Sequence, residues 1–147
     1  MARKRTVKSG FAGAHNDKKK HARRTVRLLK KAYPELTFCH NEDWPNNNIL
    51  ESLLHAEPYL HEGFICAYSD ILYTGQIIET LLTHEDDITL VCDTNWRERY
   101  KKRTEHPEDD GEKMRVEESV VRCINRTMPS EEASGEYIGV ARFSEEG

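Results

Sequence analysis

The stretch Gly63-Phe64-Ile65-Cys66-Ala67-Tyr68-Ser69-Asp70-Ile71-Leu72-Tyr73 limits what this chain can fold into more than any other. A short, uncharged apolar run leads straight into a single aspartate. A run of that length and composition suits a strand buried on both faces of a parallel sheet. In open α/β sheets ligands bind beyond the carboxyl ends of the strands, which is where Asp70 would stand. A carboxylate there can hold a divalent cation that bridges phosphate oxygens. The competing reading is that Asp70 only ends the strand or caps the following helix. A helix is predicted over Thr74–Thr83, with Ile77, Ile78, Leu81 and Leu82 inward, and a second apolar strand over Asp87–Cys92. Strand, helix and strand at this spacing predict a right-handed crossover and a parallel pair. The expected class is therefore α/β, a three-layer α/β/α sandwich around a mainly parallel, mixed sheet.

The remaining elements follow from periodicity and punctuation. Residues 1–20 are expected to be poorly ordered apart from a short strand at Thr6–Lys8. A helix over His21–Tyr33 should stop before Pro34, because a residue preceding proline is biased away from helix. Leu36–His40 reads as a short strand. Asn46-Asn47-Asn48 follows Pro45 and offers N-cap side chains for a helix over Ile49–Tyr59. Ile49, Leu53 and Ala56 would line one face of it, with Leu50 and Leu54 beside them, and Pro58 should end or distort the last turn. Trp96–Glu112 is charged, contains Pro107 and Gly111, and reads as an excursion over the surface. Lys113–Val116 and Ser119–Ile124 predict a hairpin turning near Glu117-Glu118. Tyr137–Phe143 alternates apolar and polar residues and should rejoin the sheet. The division expected is a basic arm and helix over 1–34, then one domain over 35–147.

At 147 residues there is room for one sizeable core. The content, 37% hydrophobic and 33% charged, is more polar than that of an average globular domain. No apolar stretch approaches the ~20 residues of a membrane span, and the basic start lacks the apolar core of a signal peptide. Cys39, Cys66, Cys92 and Cys123 are widely spaced and form no Cys-x-x-Cys, so reduced thiols and a cytoplasmic location are expected. The seven histidines show no metal-ligand spacing. Charge is uneven: residues 1–31 hold twelve Lys/Arg and one acid, whereas residues 32–147 hold ten Lys/Arg and 25 acids. A basic arm can bind nucleic acid through phosphate contacts. With Phe11 its only aromatic, base stacking is poorly provided for. An amphipathic helix that buries Val26 and Leu29 accounts for the arm, and nucleic acid is not expected as a partner.

Four blocks, in order, resemble the middle of a nucleotidyltransferase domain of the nucleotide-diphospho-sugar-transferase type. They are Asn41-Glu42-Asp43-Trp44 through Asn48-Ile49-Leu50-Glu51-Ser52-Leu53, then Tyr68-Ser69-Asp70-Ile71-Leu72. Next come Asp87–Asp93 with Trp96 and Tyr100, and last Gly135-Glu136-Tyr137-Ile138-Gly139-Val140-Ala141. Together they span about 105 of the 147 residues and look most like the branch of phosphocholine and phosphonate cytidylyltransferases. Such enzymes open with a glycine-rich loop whose backbone N–H groups cradle the triphosphate. Gly10-Phe11-Ala12-Gly13-Ala14 lacks that spacing and looks like a later strand-to-loop segment. The chain therefore resembles an incomplete domain, without that loop and without the family's C-terminal part.

The resemblance implies transfer of NMP from an NTP, CTP being favoured, to a small phosphorylated or phosphonate acceptor. Such transfer needs Mg²⁺ and depends on positioning and electrostatics more than on covalent chemistry. It makes Asp70 the catalytic and metal-ligating residue. It sets Asn47 and Asn48 on the nucleotide side, where helix capping explains them as well. Asp93, Trp96, Tyr100 and Glu136 fall on the acceptor side. Their structural alternatives are a strand-end turn for Asp93, packing for the two aromatics and an exposed acid at a turn for Glu136. Trp96 and Tyr100 could wall a quaternary ammonium group through cation–π attraction. Arg97, Arg99 and Arg103 could meet an acceptor phosphate. Without the triphosphate loop the chain is expected to be weak or inactive as an enzyme, and a homo-oligomer is left open. The alternative function is a catalytically silent α/β interaction module whose basic arm docks an acidic partner or nucleic acid. A truncated reading frame with no stable product is a third.

Overall fold

The apolar and alternating runs become strands as predicted, but they pair differently. The computed structural model describes residues 7–9, 16–101, 103–105 and 107–147. The Gly10–Ala14 segment lies outside them. The chain divides into two compact units, Met1–His61 and Glu62–Gly147.

In the first unit β1 (Val7–Ser9) pairs in parallel with β2 (Thr37–Cys39), and α1 (Asn16–Ala32) connects them. Thr6 lies outside the described residues, and α1 begins five residues earlier than the sequence predicts. Val26 and Leu29 of α1 are half-buried. The Lys30 ammonium sits 5.3 Å from the centre of the Phe38 ring. The helix ends before Pro34, where the residue-before-proline restriction sets the stop. α2 is shorter than predicted, Ile49–Leu54, with a 3₁₀ turn at Glu57–Tyr59. The cause is Pro58, which has no N–H to donate and whose ring would strike the carbonyl of Leu54 in a continuous α-helix.

The second unit is built on one five-stranded antiparallel sheet. Its strands are β3 (Phe64–Ala67), β4 (Ile88–Asp93), β5 (Lys113–Glu117), β6 (Val120–Asn125) and β7 (Gly135–Phe143). The longest, β7, is the hub. On one edge it carries β4, with Ile88 opposite Phe143 and Asp93 opposite Glu136. On the other it carries β3 along its second half and β5 along its first, and β6 pairs with β5.

This corrects the expected fold class: the sheet is not mainly parallel and the unit is not a three-layer sandwich. β3 and β4 do run in the same direction, yet β7 lies between them, so each meets an antiparallel neighbour. The physical reason is visible in the burial. Phe64, Ile65 and Cys66 are only half-buried, Ala67 is exposed and Ile88 is 53% exposed, so these runs are not sandwiched on both faces. α3 (Gly75–Thr83) packs on β4 and β7 with Leu81 buried, whereas Leu82, predicted inward, is largely exposed.

Two local features let β7 serve both edges. Between Leu90 and Cys92 the β4 register shifts by two residues, which leaves β7 bulged around Ile138-Gly139-Val140. Gly139 there has φ +73°, and a Cβ on it would run into the Tyr68 ring. The β5–β6 hairpin turns through Glu118 and Ser119, both with positive φ, as a two-residue turn of this kind requires. Phe64 and Phe143 stack at 4.8 Å, and Met114, Val140 and Ala141 are fully buried.

Candidate functional site

Strand pairing gathers the candidate acceptor-side residues. Residues directly opposite in an antiparallel pair point to the same face. Asp93, Glu136 and Lys113 are opposite one another across β4, β7 and β5, so they form one row. α4 (Trp96–Tyr100) follows β4 after a tight turn and returns its side chains to that row.

Each acid in the row is engaged. The Asp93 side chain is 15% exposed, accepts a hydrogen bond from the Asn95 N–H at 2.9 Å and forms an ion pair with the Arg99 guanidinium. Glu136 accepts a hydrogen bond from the Tyr100 hydroxyl, and Gly111 lies beside that contact. Lys113, 1% exposed, donates through Nζ to the Arg126 carbonyl at 2.7 Å. Burial, followed by the hydrogen bond to and charge of Glu136, pushes the Tyr100 phenol up to about 12.

Trp96 and Tyr100 are both buried and meet edge to face at 5.5 Å. The predicted surface excursion therefore opens with two core residues. Their ring faces already hold cations of this chain: the Arg103 guanidinium is 4.3 Å from the Tyr100 ring centre and that of Arg97 is 5.6 Å from Trp96.

A second cluster went unseen in the sequence. Tyr137 and Glu112 stand one residue along from Glu136 and Lys113, so strand alternation turns them to the opposite face. Tyr68 donates to Glu112 at 3.3 Å, and Arg126 donates to the other oxygen of that carboxylate at 2.8 Å. Tyr68 and Tyr137 pack edge to face at 5.9 Å. Burial, reinforced by Glu112, pushes the Tyr68 phenol up to about 12, and burial raises that of Tyr137 further still. The one available signal was Tyr68 at the end of the first apolar run. Its partner Glu112 is 44 residues away and becomes a neighbour only through strand pairing.

Asp70 lies in an exposed turn just past β3, where the Tyr68 N–H still bonds to the Gly139 carbonyl at 2.8 Å. Among the described residues no group of three or more His, Cys, Asp or Glu is placed to hold a metal. Asn47 and Asn48 belong to the first unit. Asn47 exchanges side-chain hydrogen bonds with Asn41, which is 5% exposed and also donates to Ser52. Asn48 caps α2, its Oδ1 accepting from the Glu51 N–H at 3.1 Å. The structure thus brings together Asp93, Trp96, Tyr100 and Glu136. All four cysteines are free and half-buried, and burial raises the thiols of Cys66 and Cys92. Among the described residues no helix is long and apolar enough to cross a membrane.

No protein-family model matches the chain. Over 114 residues it is 21% identical to the CTP:phosphoglutamine cytidylyltransferase of Campylobacter jejuni, a match that covers 73% of this chain and 45% of that protein. The relationship is cytidylyltransferase-like and distant. The chain spans a little under half the length of that relative.

Proposed function

We propose that this chain is a nucleotidyltransferase-like domain that binds a CTP-type nucleotide and serves Mg²⁺-dependent transfer of NMP to a small phosphorylated or phosphonate acceptor. The distant likeness to a cytidylyltransferase carries this reading. In such a transfer an acceptor oxygen attacks the α-phosphorus in line and pyrophosphate leaves. The protein's task is to position both groups and offset their charge.

Asp70 is the proposed metal ligand. Mg²⁺ is commonly held by one or two carboxylates together with substrate phosphates, so one exposed carboxylate suits an ion that arrives with the nucleotide. When bound, that ion would neutralise charge developing on the phosphoryl oxygens. Asp93 and Glu136 are assigned to the acceptor side, with Tyr100 and Trp96 holding the wall behind them. The 147 residues contain no recognisable triphosphate loop, and loss of a preorganised electrostatic clamp costs orders of magnitude in rate. Binding, not turnover, is the sensitive readout.

The test is calorimetric titration of CTP, with and without Mg²⁺, into the wild-type chain and its Asp70→Ala variant. Heat that requires Mg²⁺ and vanishes in the variant is the expected result. A chain that melts cooperatively yet takes up no CTP would overturn the reading.

A further inference from the structure

We infer that the exposed face of α1 is a docking surface for the phosphate backbone of a nucleic-acid duplex. The observation behind it is how arginines are used in the two units. Residues 62–147 contain seven arginines, and every one has a partner. Arg97, Arg99, Arg115, Arg122 and Arg126 pair with carboxylates. Arg103 lies over Tyr100, and Arg142 donates to the Asp86 carbonyl. On α1, Arg23, Arg24, Arg27 and Lys31 are exposed and form no ion pair among the described residues.

Their geometry suits a linear polyanion. At 3.6 residues per turn, Arg23, Arg24, Arg27, Lys30 and Lys31 fall within an arc of about 120° and span about 12 Å along the axis. A duplex presents roughly seven phosphates over that length, one charge per ~1.7 Å. The half-buried Val26 and Leu29 lie outside the arc, so they anchor the helix while the cations face outward. A membrane surface fits less well, because a helix lying in lipid needs its apolar face free, and on α1 only Leu28 exposes a large aliphatic side chain. From the sequence alone a buried amphipathic helix accounted for the arm without a partner. Among the described residues Arg23, Arg24 and Arg27 meet no carboxylate, and this moves the balance towards a phosphate ligand. With no aromatic in α1 to stack on bases, the contact would be to the backbone and independent of sequence.

The probe is a labelled duplex DNA of arbitrary sequence, followed by fluorescence anisotropy at rising KCl. The proteins are the full chain, a variant with Arg23, Arg24, Arg27 and Lys31 all changed to Gln, and a charge-keeping variant with the three arginines changed to Lys. Four phosphate contacts predict about 100-fold weaker binding between 50 and 200 mM salt, since each contributes a slope of about −0.9. The Gln variant, shown by circular dichroism to keep its helix, should lose that salt-dependent binding, and the Lys variant should retain it. Overturning results are no binding by the wild type at 50 mM salt, equal binding by the Gln variant, or tighter capture by phosphatidylserine vesicles or polyglutamate than by the duplex.

Discussion

Glu136 shows how a residue can be legible while its environment is not. The sequence singled out Asp93, Trp96, Tyr100 and Glu136 one at a time, from resemblance and from their places beside apolar runs. That they meet depends on β4 pairing with the first half of β7, a contact between distant segments that local pattern does not encode. Nor does the sequence reveal that the Tyr100 hydroxyl belongs to Glu136 and that its ring lies under Arg103. The Glu112–Tyr68–Arg126 cluster was missed for the same reason. At this scale Tyr100→Phe is the informative change, because it removes one hydroxyl and leaves the half-buried Glu136 carboxylate without its donor. A hydrogen bond to a charged group is worth about 1.5–3 kcal/mol, so urea unfolding at neutral pH should show a loss of that order. A loss under about 0.5 kcal/mol would mean that water replaces the phenol at no cost and that the contact does not fix Glu136.

Element by element, the chain was mostly readable. Amphipathic spacing and apolar runs located α3, β3, β4 and the β5–β6 hairpin to within a few residues, while α1 starts five residues earlier than predicted and the proline rule placed its end. Two elements departed from the pattern. α4 was hidden in a charged stretch, since only Trp96 and Tyr100, four residues apart, mark its inner face. α2 stopped short because Pro58 acts on the turn before it and not only on its own position. With so few residues, α2 depends strongly on its entry. Asn48→Ala removes the side-chain acceptor for the Glu51 N–H, and a lost cap of this type costs about 1 kcal/mol. Hydrogen exchange at the Glu51 amide should quicken accordingly, whereas Asn48→Asp, also a good cap, should leave it within a few tenths of a kcal/mol. Unchanged exchange in the alanine variant would show that α2 is held by packing instead.

For the whole molecule, the sheet's direction was the part that could not be read. An apolar run records how much of a strand avoids water and nothing about the direction of its neighbours. The alternating run at Tyr137–Phe143 was predicted to rejoin the sheet, but its position between β3 and β4 turns a presumed parallel pair into two antiparallel ones. The resulting core concentrates groups that resist ionisation, and this has a consequence for stability. Cys66 and Cys92 have thiols raised above the ordinary 9.0 by burial. Tyr68 and Tyr100 have phenols pushed from 10.0 to about 12, by burial first and then by Glu112 and Glu136 respectively. Each group is neutral when protonated and has a higher pKa folded than unfolded, so above the unfolded value the native state holds protons that the unfolded chain has lost. The stability these shifts contribute is complete below pH 9.0, starts to fall as the thiols of the unfolded chain ionise, and drops further between pH 10.0 and about 12 as its phenols do. Urea unfolding at stepped pH from about 8 to about 12 should therefore give a free energy that declines steadily on the alkaline side. Tyr68→Phe and Tyr100→Phe should each flatten the upper part of that decline, because a phenylalanine has no proton to lose. A profile level through pH 12, or one that both variants leave unchanged, would mean that water reaches these phenols in the folded chain.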